Sequence, residues 1–273
     1  MKAIAVIFDI DGVVRDVGGS YRRALADTVE HFTGGEYRPT QTDIDTLKNE
    51  GIWNNDWEAS RELTYRYFER KHSSVESSEL TSHPSLRADL NLNYEAMVAF
   101  FQSRYRGSDP THWTGYICQE PLLMQSAYLD SLTQAGIAWG FFSGATTGSA
   151  RYVLEYRLGL RSPILVAMED APSKPDPTGL LATLNQLETS GTIPIVLYVG
   201  DTVADMYTVI NARQQYPDRH WIGIGVLPPH VHEPIERRDK YADTLKQAGA
   251  EIVLRNVEEL VPEKIWRLVR SEG

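Results

Sequence analysis

Four short runs constrain this chain more than anything else in it: Ala3–Phe8, Ile137–Phe142, Ile193–Val199 and Trp221–Val226. Each is rich in Ile, Val or aromatic side chains and does not alternate with polar residues. A strand with one face in water alternates, whereas a strand covered by helices on both faces reads as a continuous apolar run. Ile164–Met168 and Glu251–Leu254 are weaker candidates of the same kind. Between them lie helix-like segments. Leu122–Ala135 sets Leu122, Leu129 and Leu132 along one side and stops at Gly136, and Thr147–Leu158, Thr178–Thr189 and Ala204–Gln214 have similar patterns. Strand alternating with helix implies an α/β core, a parallel sheet built by right-handed crossovers.

The stretch between the first strand and the next departs from this rhythm. It holds no convincing strand, is broken at Gly34-Gly35, Gly51 and His83-Pro84, and offers Arg61–Lys71 and Tyr94–Arg106 as helices. It reads as a mostly helical insertion into the core. At 273 residues the chain has the length at which one core tends to divide into a large and a smaller domain. The formal net charge of −10 argues against a general nucleic-acid or acidic-membrane surface. No run reaches the 18 or so apolar residues of a membrane span. The single cysteine, Cys118, excludes an internal disulfide and a thiolate metal cluster, and it reads as a small buried residue. These features describe a cytoplasmic protein.

In an open parallel sheet, ligands bind beyond the carboxyl ends of the strands. Those ends carry an unusual set of polar residues. Asp9 and Asp11 close the first run, Ser143 and Gly144 follow "IAWGFF", Lys174 lies in the loop "EDAPSKPDP", and Asp201 and Asp205 follow "IVLYVG". Clustered carboxylates repel one another, and a hard divalent cation such as Mg2+ is the natural way to hold them together, because it takes oxygen ligands and accepts a substrate phosphate oxygen. Lys174 and Ser143 suit the remaining phosphate oxygens. An aspartate can attack phosphorus, and a second can act as general acid and then base. Singly, each element has a plainer meaning: acidic residues often begin loops, Ser143-Gly144 makes a common turn, and Asp201 can cap the following helix.

Taken in order, "FDIDGVV", "FFSGAT", "SKPDP" and "VGDTVADM" resemble the four motifs of the haloacid dehalogenase-like (HAD) hydrolases. The resemblance implies a Rossmann-like core over residues 1–20 and 116–273, with residues 21–115 as the inserted helical C1 cap of subfamily I. It implies that Asp9 is the nucleophile and also a Mg2+ ligand. Asp11 would protonate the leaving alcohol, then activate water, and lend its backbone carbonyl to the metal. Asp201 would bind Mg2+ directly and Asp205 through water or hydrogen bonds, while Ser143, Gly144 and Lys174 would hold the phosphoryl group. Dehalogenases of this kind lack an aspartate at the position of Asp11, so its presence favours phosphoryl transfer. The stretch "GIWNNDWE" also looks like a branch whose relatives sometimes occur joined to histidine-biosynthesis domains.

The expectation is therefore a Mg2+-dependent phosphatase of a small soluble phosphomonoester, working through an aspartyl phosphate as a monomer or weak homodimer. A phosphomutase and a non-catalytic phosphometabolite-binding protein are the alternatives. Trp53, Asn54, Asn55, Asp56 and Trp57 combine stacking surface with polar groups and are the candidates for substrate specificity, against the reading that the tryptophans pack the insertion's own core. Arg15 and Asp16 lie close to the first motif and are assigned no role. His230 and His232 form an HxH pair without an evident third ligand and read as part of a proline-rich loop.

Overall fold

The computed structural model describes residues 3–270 apart from 49, 51, 54, 76–86, 88, 89, 91, 110 and 190. The chain divides into two compact units, one formed by Met1–Asp16 with Pro121–Gly273 and the other by Val17–Glu120.

The larger unit is built on six parallel strands: β1 Ile4–Phe8, β2 Ala138–Phe142, β3 Leu165–Val166, β4 Ile195–Gly200, β5 His220–Val226 and β6 Ile252–Leu254. Their order across the sheet is β3-β2-β1-β4-β5-β6. From β1 the chain winds outward to β2 and β3, then returns to the other side of β1 and winds outward again. The direction of winding reverses between β1 and β4, which is where such sheets open a crevice for ligands. Every residue of β1 and β4 is buried, as their uninterrupted apolar runs require. The edge strands are shorter than their apolar runs. β3 pairs through two residues because it has a neighbour on one side only.

Helices cover the sheet. α5 Ser126–Gln134 precedes β2, and a short helix at Thr147–Arg151 runs on into a π-helical turn at Tyr152–Arg157. α7 Thr178–Leu187 and α8 Val203–Gln215 follow β3 and β4, α9 Ile235–Gln247 follows β5, and α10 Pro262–Arg270 ends the described chain. The short helix at 147–151 is taken as α6. Leu180 and Leu184 of α7 and Val209 and Ala212 of α8 pack with Ile7, Phe142, Val196, Tyr198 and Trp221 in one core cluster. Burial of each large apolar side chain there contributes about 1.5–3 kcal/mol. A second cluster, around Met206, Leu227, Val231 and Leu245, joins α8 and α9.

The smaller unit is helical, with α1 Tyr21–Phe32, α2 Gln41–Lys48, α3 Asp56–Val75 and α4 Tyr94–Tyr105. Leu25, Val29, Ile44, Leu47, Ala59, Leu63, Met97, Phe101 and Tyr105 are among its buried apolar residues. α3 starts earlier than its amphipathic pattern suggests because the Asn55 carboxamide oxygen accepts the Trp57 N–H at 2.9 Å, capping the helix. A buried carboxylate, Asp27, is satisfied by Tyr116 OH at 2.6 Å, Arg38 at 2.8 Å and Arg104 at 3.1 Å. Cys118 is half-buried instead of buried: it sits on the 3-10 turn Tyr116–Gln119, where its thiol donates to the Trp113 carbonyl at 3.2 Å.

Candidate active site

β1 ends at Phe8, and the Asp9 N–H continues its ladder by donating to the Val199 carbonyl at 2.8 Å. Asp9 is thereby fixed against β4, at the reversal of the sheet. The loop after β4 places Asp201 beside it. The first turn of α8 adds Asp205. Carboxylate oxygens of Asp9, Asp201 and Asp205 lie within 4.8 Å of one another, although Asp9 follows the first strand of the chain and Asp201 the fourth.

Lys174 completes the cluster from the loop between β3 and α7. Its Nζ is 2.9 Å from Asp9 Oδ1 and 2.7 Å from Asp205 Oδ1. The rings of Phe142 and Tyr198 lie 5.2 and 5.4 Å from the ammonium, within cation–π range. Asn211 of α8 holds the loop by donating to the Pro175 carbonyl at 2.9 Å.

Asp205 is committed on both oxygens. Oδ2 accepts from the Thr202 N–H and hydroxyl at 2.9 and 2.6 Å, while Thr202 Oγ1 accepts the Asp205 N–H. This is a capping box, so the cap of α8 is Thr202 and not Asp201. Oδ1 takes Lys174 and the Tyr198 hydroxyl, which also lies 3.2 Å from the Phe142 carbonyl. Asp9 Oδ1, in contrast, is buried and accepts no well-aligned hydrogen bond, with Lys174 beside it as a charge alone.

The electrostatics follow from this arrangement. Burial pushes the Asp9 carboxyl up to about 7 against the pull of Lys174, with the charges of Asp205 and Asp11 adding to the rise. Burial, then Asp205 and Asp9, raise Asp201 well above the usual carboxylate range. For Asp205 burial acts the same way, but Lys174 and Thr202 outweigh it and hold the carboxyl below that range. Asp205 and Asp9 likewise overcome burial and keep Lys174 charged. The resting cluster carries more carboxylates than one ammonium can balance. Hard oxygen donors, an unaligned buried acceptor and two carboxyls that resist ionisation together make a set that fits a divalent cation such as Mg2+.

Ser143 and Gly144 follow β2, the other neighbour of β1. Ser143 is buried, donates its N–H to the Val166 carbonyl at 3.0 Å, and accepts the Ala145 N–H on Oγ at 3.1 Å; Gly144 is exposed. Asp11 lies outside the three-carboxylate group and is held by Arg15, a residue to which sequence reasoning gave no role. Tyr198 was also missed, because a tyrosine within an apolar run reads as core.

In the helical unit, Trp53 is half-buried and its indole donates to Glu50 at 2.9 Å. Asn55 caps α3, Asp56 pairs with Lys48 at 2.7 Å, and Trp57 is half-buried in the first turn. Asn54 falls outside the described residues. Of the HxH pair, His232 Nε2 lies 2.9 Å from the Leu227 carbonyl.

A family model described as haloacid dehalogenase-like hydrolase matches residues 5–213. Among curated proteins, an imidazoleglycerol-phosphate dehydratase from Phytophthora nicotianae is 30% identical over 261 residues, covering 92% of this chain and 50% of that protein. The chain thus spans about half the length of that relative. Among solved structures, the phosphatase Tt82 from Thermococcus thioreducens superposes with a TM-score of 0.62 at 23% identity, over 81% of this chain and 92% of that one. A phosphonoacetaldehyde hydrolase-like protein from Oleispira antarctica does so with a TM-score of 0.66 at 17% identity, over 100% and 96%. The likeness to both structures is one of fold.

Proposed function

This chain belongs to the haloacid dehalogenase-like hydrolases, and from that premise we propose that it is a Mg2+-dependent phosphatase of a small phosphomonoester, working through an aspartyl phosphate on Asp9. The observation that carries the reading is the Asp9–Lys174–Asp205–Asp201 cluster at the reversal of the sheet, with Asp11 two residues beyond the nucleophile. A buried carboxylate beside a permanent cation suits attack on an anionic phosphoryl group, since Lys174 offsets the repulsion between the two.

In this reading the Asp9 carboxylate attacks phosphorus in line with the leaving oxygen, and Asp11 gives that oxygen its proton. Asp11 then takes a proton from water, whose oxygen attacks phosphorus and releases Asp9. Lys174, the Ser143 hydroxyl and the Gly144 backbone hold the phosphoryl oxygens through the transfer. Asp9, Asp201 and the Asp11 carbonyl, with Asp205 behind them, would hold Mg2+, which would supply positive charge to let the carboxylates ionise together and to offset the phosphoryl oxygens. Tyr198 and Thr202 keep Asp205 oriented toward Lys174.

The reading extends to a cytoplasmic enzyme acting as a monomer or weak homodimer, with residues 21–115 as a substrate-selecting cap and Trp53, Asn54, Asn55, Asp56 and Trp57 as its specificity positions. No helix among the described residues is long and apolar enough to cross a membrane. The name of the Phytophthora relative places imidazole-bearing phosphomonoesters, histidinol phosphate among them, first in a substrate panel that also holds sugar phosphates, phosphoglycolate and nucleotides. The test is phosphate release from that panel with Mg2+ and with EDTA, beside Asp9→Asn. Release that needs Mg2+ and disappears in Asp9→Asn is the expected result. Absence of release from every compound overturns the phosphatase; isomer interconversion on the same panel would then indicate a phosphomutase, and binding without turnover a phosphometabolite-binding protein.

A further inference from the structure

Arg15 is fully buried, which is rare for arginine, and its guanidinium pairs with Asp11, the acidic residue of the first motif whose carboxylate lies outside the three-carboxylate group. Its Nε and Nη2 lie 2.7 and 2.6 Å from Asp11 Oδ1. The backbone brings the two residues together. The Ile10 carbonyl accepts the N–H groups of Val13, Val14 and Arg15 at 3.3, 2.8 and 3.2 Å, and Gly12 donates to the Arg15 carbonyl at 2.9 Å. Residues 10–15 therefore close a tight turn that brings position 15 back against position 11. Asp16 and Val14 then bond to Pro121 and Leu123, at 2.9 and 2.8 Å, and pin the far end of the turn.

We propose that Arg15 is a positioning residue for the proton transfers of Asp11, an inference that rests on the phosphatase reading above. Two guanidinium nitrogens on one carboxylate oxygen fix both the rotamer and the position of Oδ1, and so aim Oδ2 as the proton-carrying atom. A carboxylate that is 29% exposed in side-chain area would otherwise rotate among several staggered states. Two N–H donors fixed in one guanidinium plane and converging on Oδ1 hold that oxygen more firmly than a freely rotating ammonium can. In the first half-reaction Asp9 forms its bond to phosphorus as the phosphorus–oxygen bond to the leaving group breaks, and the leaving oxygen takes the Asp11 proton. In the second, Asp11 recovers a proton from the attacking water as the bond to Asp9 breaks. Both transfers need Oδ2 within hydrogen-bond reach of an oxygen on the phosphoryl axis, and general catalysis of this kind is worth about 10²–10⁴-fold.

The test compares two substrates that differ in their need for a proton. An alkyl phosphomonoester from the panel leaves as an alkoxide unless it is protonated, whereas p-nitrophenyl phosphate leaves as a stable phenolate. Because kcat/KM reports the chemistry up to the first phosphoryl transfer, Arg15→Met should lower it about 100-fold for the alkyl ester and less than about 3-fold for the aryl ester. Arg15→Lys, which keeps the charge and loses the two fixed donors on Oδ1, should fall between wild type and Arg15→Met on the alkyl ester. In an Asp11→Asn background neither change should alter the alkyl-to-aryl ratio further. Equal losses on both substrates, in whichever of the two variants folds, would mean that Arg15 only supports the fold, and the proposal would be overturned. The alkyl ester is one that the wild-type protein hydrolyses; wild-type protein that releases phosphate from no compound of the panel overturns the phosphatase reading and this proposal with it, so the two failures are told apart by the wild-type controls.

Discussion

Gly12→Ala tests the junction between the first and last motifs. Gly12 has a φ of +75°, a left-handed conformation that costs an L-residue about 1–2 kcal/mol. A Cβ at this position would fall 2.1 Å from Asp201 Oδ2 and 2.5 Å from its Cγ, far inside van der Waals contact. Asp201 follows β4, which is paired on both sides, so the backbone cannot retreat and the side chain must turn away. An off-rotamer or repacked side chain adds about 1 kcal/mol, for a total of about 2–3 kcal/mol. For a domain of this size each kcal/mol lowers Tm by about 2–4 °C, so the melting temperature in EDTA should drop by about 4–12 °C. The displaced carboxylate leaves the three-oxygen group, and Mg2+ binding should weaken by at least about 10–100-fold. Thermal melts across a Mg2+ titration read both effects at once. Gly136→Ala is the control: its φ is +71° with nothing within 4 Å, so it carries the backbone cost without the collision. Equal loss of Tm in the two variants, with an unchanged Mg2+ midpoint for Gly12→Ala, would refute the reasoning.

The raised carboxyls at Asp9 and Asp201 mean that the metal-free native state binds protons more tightly than the unfolded chain, so stability falls as pH rises from about 4 through 7. Asp201→Asn removes one of these charges: in EDTA it should melt above wild type at pH 8, converge with it at pH 4, and gain little from Mg2+, whereas a gap no wider at pH 8 than at pH 4 contradicts this account. Calorimetry in buffers of different ionisation enthalpy should also show wild-type protein releasing protons as it takes up Mg2+ near pH 7. Asp27 behaves oppositely. Tyr116, Arg38 and Arg104 together outweigh its burial and hold its carboxyl below the usual range, so its contribution is present above pH 4 and is lost as pH falls through the depressed value. Asp27→Asn should cost about 2 kcal/mol at pH 7, discounted for its half-exposed arginine partners, and the difference in denaturant midpoint should shrink steadily as the pH falls below the usual carboxylate range.

The strands and most helices of the core were legible because covered strands and amphipathic helices leave periodic signatures that survive without tertiary context. β3 and β6 were weak in the sequence for the reason that they are short in the structure: an edge strand needs less apolar surface. In the helical unit α1 and α2 were not resolved as separate helices. The start of α3 was hidden as well, since its cap is an asparagine within a stretch that also invited a substrate-binding reading. Arg15 was noted beside the first motif but given no role, because a cation there reads as solvent-facing, and only the turn at residues 10–15 turns it inward.

What the sequence by itself determined is the chemistry available at each strand end: two carboxylates after β1, a hydroxyl after β2, an ammonium after β3, and two more carboxylates after β4. What only the tertiary structure decided is which of these meet. The strand order sets β1 against β4 and not at the sheet's edge, so Asp9 and Asp201 become neighbours across a hydrogen-bonded pair. The loop from β3 must then reach past the end of β2 to bring Lys174 between Asp9 and Asp205. Sequence periodicity reports whether a residue is covered, but it carries no record of which strand lies alongside, because many orders bury the same apolar runs equally well. The choice among them comes from side-chain packing between strands and helices far apart in the chain, and the cluster of three carboxylates and a lysine is a consequence of that packing.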